Sequence, residues 1–106
     1  MSHAKLFEPL TLNRGPALKN RLMLAPLTNQ QSHDDGRLSD DEIRWLAMRA
    51  AGGFSLVMTA AAPIQHVGQG YPGQLGIYDD MHIDGLTRFA TAVRDNGSIS
   101  AVQLYH

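Results

Sequence analysis

Apolar positions along this chain keep two rhythms in turn. Residues 6–12, Leu-Phe-Glu-Pro-Leu-Thr-Leu, and residues 18–24, Leu-Lys-Asn-Arg-Leu-Met-Leu, flank the turn cluster Asn13-Arg14-Gly15-Pro16. That arrangement predicts a hairpin over 6–24, with Pro9 confining its first arm to an edge and its second arm continuing as a buried strand near 22–25. A polar loop follows, and then the spacing changes. Ser39-Asp40-Asp41-Glu42 reads as a capping box, in which the Ser39 hydroxyl and the Glu42 carboxylate satisfy each other's backbone amides. Ile43, Leu46, Ala47 and Ala50 recur at helical intervals up to Gly52-Gly53, so a helix is expected near 40–52. Residues 54–60, Phe-Ser-Leu-Val-Met-Thr-Ala, form a nearly continuous apolar run of strand length, as a parallel strand covered on both faces requires. A Gly/Pro-rich loop leads to Leu86, Phe89, Ala90 and Val93, the apolar face of a helix near 84–96, stopped by Asn96-Gly97. A third strand is expected near 99–104. Alternation of this kind predicts an α/β chain with a parallel sheet.

Composition changes that picture little. The chain has 106 residues, 43% hydrophobic and 18% charged, with a net charge of -1 and no cysteine. There is no basic footprint for nucleic acid, no polybasic membrane patch and no thiolate chemistry. The longest apolar stretch, 54–64, is far shorter than the roughly 20 residues of a membrane span. Residues 1–5 lead into no apolar segment of a signal peptide, so a cytoplasmic protein is expected. Length matters more. About 250 residues make a complete (β/α)8 barrel, and a three-stranded parallel sheet standing alone leaves apolar edges exposed. The chain is therefore expected to be a fragment or to complete its sheet with another chain.

Candidate chemistry is sparse. Gly68-Gln69-Gly70-Tyr71-Pro72-Gly73 matches the G-x-G-x-x-G string, but the strand ends several residues earlier, Pro72 interrupts the pattern and the next helix starts only after Asp80. A dinucleotide site needs those glycines between strand end and helix start. Asp34-Asp35-Gly36 and Asp40-Asp41-Glu42 lack the alternating spacing of a calcium loop. The five histidines make no metal-binding pair, and His33 and His82 read as surface residues; no metal site is expected. His106 lies just past a strand's carboxyl end, where parallel α/β folds place their chemistry. Three strand ends share small or neutral groups: Ala25-Pro26-Leu27-Thr28, Thr59-Ala60-Ala61 and Gln103-Leu104-Tyr105-His106. A flat heterocycle could approach the small residues, with the Thr28 hydroxyl and the Gln103 amide reading its carbonyls and N–H.

In order and spacing, several segments resemble the N-terminal third of the Old Yellow Enzyme family, the FMN-dependent ene-reductases and NADH:flavin oxidoreductases. They are the opening residues 5–10, the Leu18-Lys19-Asn20-Arg21 stretch leading to 24–28, residues 75–80 and Gln103-Leu104-Tyr105-His106. The resemblance implies a (β/α)8 barrel, of which this chain would cover an N-terminal hairpin over the barrel bottom and about three β/α units within one domain, 1–106. It implies FMN across the carboxyl ends of the strands, lined by Ala25, Pro26 and Leu27. The Thr28 hydroxyl would meet a pyrimidine carbonyl, Ala60 would pass close to the ring and Gln103 would hold the pyrimidine edge. Gln30 stands where some relatives carry a substrate-contacting Tyr. NADH or NADPH would give hydride, and an enone-type alkene would receive it. The family's substrate-binding His pair or His/Asn pair, its proton donor and its phosphate-binding Arg residues fall after residue 106, so no catalytic residue is expected within this chain. The chain alone is expected neither to bind FMN tightly nor to turn over. Its expected partner is the rest of the barrel, in the same gene or as a second chain, with a homo-oligomer as a further possibility. Two other readings stay open beside this one: a non-catalytic α/β module pairing through its sheet edge, and a small nucleotide binder.

Overall fold

The apolar run after the double glycine becomes the central strand of a parallel sheet. In the computed structural model, which describes residues 3–106, β1 (Met23–Leu24), α1 (Asp40–Ala51), β2 (Leu56–Pro63), α2 (Ile83–Asp95) and β3 (Ile99–Tyr105) follow one another. The sheet order is β1-β2-β3 and both pairings are parallel. α1 begins, and both helices end, at the signals their sequence carries. Ser39 caps α1, its hydroxyl accepting from the Glu42 amide at 3.1 Å, and Gly53 supplies the left-handed residue after the helix. Gly97 does the same for α2, where the Gly97 amide donates to the Arg94 carbonyl and the Ser98 amide to that of Val93. Those two bonds form a Schellman closure.

Register divides the sheet into two faces. Leu24 pairs with Val57 and Val57 with Ser100, while Met23, Leu56 and Ile99 form the adjacent row. Side chains alternate along a strand, so Leu24, Val57, Ala62 and Val102 face the helices. There they join Leu46 and Ala50 of α1 and Phe89 and Val93 of α2 in the core. The other face carries Met23, Leu56, Met58, Ile99, Ala101 and Gln103. Both helices lie on the first face, which leaves Met23 half exposed on the second.

One irregularity sets the chemistry of β2. Met58 pairs with Ala101 and Ala61 with Gln103, so two residues of β2 oppose one of β3. This β-bulge shifts the alternation by one position, and Ala61 rather than Ala60 shares a row with Gln103. The strand also runs later than the apolar run alone suggests, from 56 to 63 instead of 54 to 60. Ser55 and Asn20 account for the late start. The Ser55 hydroxyl donates to the Leu22 carbonyl at 2.8 Å, and the Asn20 side chain bridges the Gly53 carbonyl and the Leu22 amide. Together they bind the entry of β1 to the turn before β2.

The predicted hairpin is largely absent. Leu10 and Leu18 make a single antiparallel bridge, residues 4–7 form a 3-10 turn, and the Arg21 amide donates to the Leu6 carbonyl. Pro9 removes a donor from the first arm, and residues 23–24 of the second give their ladder to β2 instead.

Candidate functional site

Parallel strands bring their carboxyl ends to one edge of the sheet, and four segments meet there: 25–32 after β1, the end of β2, the loop 64–76 and the end of β3. Of the residues expected to line a flavin, Ala25, Leu27, Thr28 and Gln103 are exposed and Pro26 is half buried. Ala60 is buried inside the bulge, where its carbonyl accepts the Thr59 hydroxyl at 2.8 Å. Ala61 shares the row of Gln103 and is the less buried of the two alanines. His106 is exposed, with Nε2 3.0 Å from Gln65 Oε1. The set of groups at this edge is neutral: a hydroxyl, an amide, backbone groups and methyls. Such donors and acceptors fit the carbonyl and N–H edge of a flavin pyrimidine.

Gln30 is the one non-glycine residue with positive φ among those described, at 51°. A left-handed residue other than glycine costs on the order of 1–3 kcal/mol and persists only where its surroundings impose it. The surroundings are visible. The Asn29 side chain accepts from the Gln31 amide at 3.2 Å, the Ser39 hydroxyl donates to the Gln31 carbonyl at 2.5 Å, and the Ser32 amide donates to the Gly73 carbonyl at 3.2 Å. A Cβ on Gly73 would meet the Gln30 carbonyl oxygen at 3.1 Å. Gly73 is therefore a packing partner of the turn at Gln30. The G-x-G-x-x-G string as a whole lies in loop and 3-10 turn, far from a strand-to-helix junction.

Three buried polar residues escaped the sequence reading. Gln74 ties the loop to β2, its Nε2 donating to the Ala61 carbonyl at 3.1 Å and its Oε1 accepting from the Gly70 amide at 2.7 Å. Glu42 completes only half of the expected capping box. Its amide is capped, but its carboxyl turns inward, 1% exposed, to accept the Ser32 hydroxyl. His82 is 2% exposed, not a surface residue; its ring packs edge-on against Tyr78 at 4.6 Å, and neither ring nitrogen has a hydrogen-bond partner. Gly36 and Gly76 were its signal, since a Cβ on either would approach the imidazole to 3.1 or 3.0 Å. On the surface Asp35 pairs with Arg37, Asp41 with Arg44, and both Asp40 and Asp84 with Arg88.

Burial pushes the Glu42 carboxyl above its ordinary value of 4.5, against the opposing pull of Ser32 and Asn29. Burial pushes His82 below 6.5, against Asp35 and Asp79, which pull it up. The signs are opposite in effect. Glu42's contribution to stability is complete below 4.5 and is lost as pH rises through its folded value; His82's is complete above 6.5 and is lost as pH falls through its folded value. In Glu42→Gln the first dependence vanishes. As pH rises from 4.5 through Glu42's folded value, the variant's stability should therefore gain relative to the parent, by at most about 1.4 kcal/mol per pH unit. Denaturant titrations across that window check it; parallel curves would contradict it.

Residues 5–106 match the family described as NADH:flavin oxidoreductase / NADH oxidase. The chain is 37% identical over 101 residues to a probable NADH-dependent flavin oxidoreductase of Bacillus subtilis, covering 95% of this chain and 27% of that protein. It is 37% identical over 107 residues to an NADPH dehydrogenase of Bacillus licheniformis, covering all of this chain and 31% of the relative. Among solved structures it resembles the Old Yellow Enzyme homologue from Zymomonas mobilis, with a TM-score of 0.88 at 29% identity over 96% of this chain and 28% of that one. The chain thus spans less than a third of the length of these relatives, and its three-stranded layer corresponds to part of an Old Yellow Enzyme barrel.

Proposed function

The chain belongs to the NADH:flavin oxidoreductase / NADH oxidase family, and on that footing we propose that it contributes three strand ends of an FMN site in an NAD(P)H-dependent reductase of activated, enone-type alkenes. The observation that carries the reading is the neutral, exposed donor set at one edge of the parallel sheet: Thr28, Gln103 and the backbone of residues 25–27. When bound, FMN supplies hydride transfer between a nicotinamide and the alkene. The residues of this chain would hold and tune it. The Thr28 hydroxyl donates to a pyrimidine carbonyl, the Gln103 amide reads the same edge, and Ala25 and Ala61 leave room for the ring. Gln30, at the turn beyond Thr28, is the candidate contact for the alkene. The rest of the barrel, in the same polypeptide or a second chain, supplies the phosphate-binding and proton-donating groups.

Titration of FMN into the isotopically labelled chain tests this. Amide shifts should concentrate at residues 25–28, 61 and 103, with weak affinity. Thr28→Val and Gln103→Leu should each weaken binding about 2- to 10-fold, the worth of one hydrogen bond. Shifts confined to residues 68–73, or no shifts at millimolar FMN, would remove the reading.

A further inference from the structure

Glu42 has a buried carboxyl at the first turn of α1 with no cation beside it. It accepts a hydrogen bond from the Ser32 hydroxyl, the Asn29 side chain also favours its charged form although its other oxygen Oε1 has no partner within hydrogen-bond distance, and its neighbours Asp40 and Asp41 turn outward to Arg88 and Arg44. A capping box would keep the same carboxylate in water on the Ser39 amide, where it costs nothing to solvate. The fold instead aims it at Ser32, two residues beyond the left-handed Gln30 and four beyond Thr28. Ser39, the residue that caps the same helix, grips the Gln31 carbonyl as well. The start of α1 therefore holds segment 28–32 at two successive residues, and the loop at Gly73 holds it from the other side.

We propose that Glu42 is a positioning residue: through Ser32 it imposes the left-handed turn at Gln30, and so fixes where Thr28 and the Gln30 side chain stand at the carboxyl edge of the sheet. The functional consequence rests on the FMN reading above, while the geometric claim does not. Glu42→Leu deprives Ser32 of its acceptor at similar volume, and Glu42→Gln keeps an acceptor in place. In the labelled chain without flavin, the strong intraresidue amide-to-α contact of a left-handed Gln30 should be lost in Glu42→Leu and kept in Glu42→Gln. The amide shifts of Thr28 should move with it, and those of Val57 and Ala101 should stay. Ser32→Ala should reproduce the leucine variant's effect, and it carries the test if Glu42→Leu does not fold. With FMN added, its dissociation constant should rise about tenfold in Glu42→Leu and stay within about twofold of the parent in Glu42→Gln, a rescue that general destabilisation would not show. An unchanged Gln30 and Thr28 in both Glu42→Leu and Ser32→Ala would overturn the proposal. A turn lost as described, with no FMN response at Thr28 even in the parent, would support the positioning role and sink the flavin reading instead.

Discussion

Phe89→Ala should lower the unfolding free energy by about 3–5 kcal/mol, a large share of the 5–15 kcal/mol that holds a typical domain together. Phe89 is the largest of the fully buried side chains and only 2% exposed. It belongs to the cluster that joins both helices to β2, with Leu46, Ala50, Val57 and Val93 around it. Both helices lie on one face of the sheet, so no second core shares the load. The truncated side chain leaves a cavity whose walls belong to three different elements, and such walls cannot collapse together without breaking register. Phe89→Leu should cost much less, about 1 kcal/mol, because most of the volume is kept. Urea titrations check both. The midpoint should fall at constant slope, and a loss under 1 kcal/mol for Phe89→Ala would show that the helices are held by something other than this cluster.

The second large effect is expected at Gly76. A Cβ there would sit 2.6 Å from Tyr78 Cε1 and 3.0 Å from both Cε1 and Nε2 of His82. Neither ring can yield freely, since the Tyr78 hydroxyl is donated to the Asp35 carbonyl at 2.9 Å and His82 is enclosed. Gly76→Ala should therefore cost about 1–3 kcal/mol, towards the upper end of the range for overpacking. Gly53→Ala is the matched control. It has a φ of +119° but nothing within 4 Å of the added Cβ, so its cost is backbone strain alone. In Gly76→Ala the ring resonances of Tyr78 and His82 should shift; in Gly53→Ala they should not. Equal ring spectra in the two variants would contradict the packing argument.

The parallel α/β layer was legible because its signals are local. Ser39, Gly53 and Gly97 mark helix boundaries by backbone chemistry that acts within a few residues, and the 54–60 run announces a buried strand by composition alone. The hairpin was misjudged because turn residues at 13–16 say where a chain reverses, not which neighbour wins the hydrogen bonds of residues 23–24. The extension of β2 through Pro63 was hidden because Thr59-Ala60-Ala61-Ala62 carries no alternation to count. At the candidate site, Thr28 and Gln103 were readable as polar groups at strand ends. Glu42 was visible as a residue but not as a role, since an inward and an outward carboxylate have the same sequence signature. Gln74 acts through the Ala61 carbonyl of another element and His82 is enclosed in part by Gly36, 46 positions earlier, contacts that no local pattern encodes.

The bulge in β2 makes that strand a message written in two phases. Up to Thr59 the buried positions are odd-numbered, 57 and 59; from Ala60 the even positions 60 and 62 are buried, joined by Pro63 at the strand's end. A saturation scan of the strand would show no single period of tolerance, and a period-two fit across all eight residues would cancel itself. Loss of the bulge with all three alanines kept would restore a single phase of pairing and exchange the residues that meet the helices for those on the open face, whereas removal of one alanine would delete the extra residue itself and leave both halves of the strand on their own faces. Three identical side chains in a row are thus chemically redundant and positionally irreplaceable: their number, rather than their identity, carries the information.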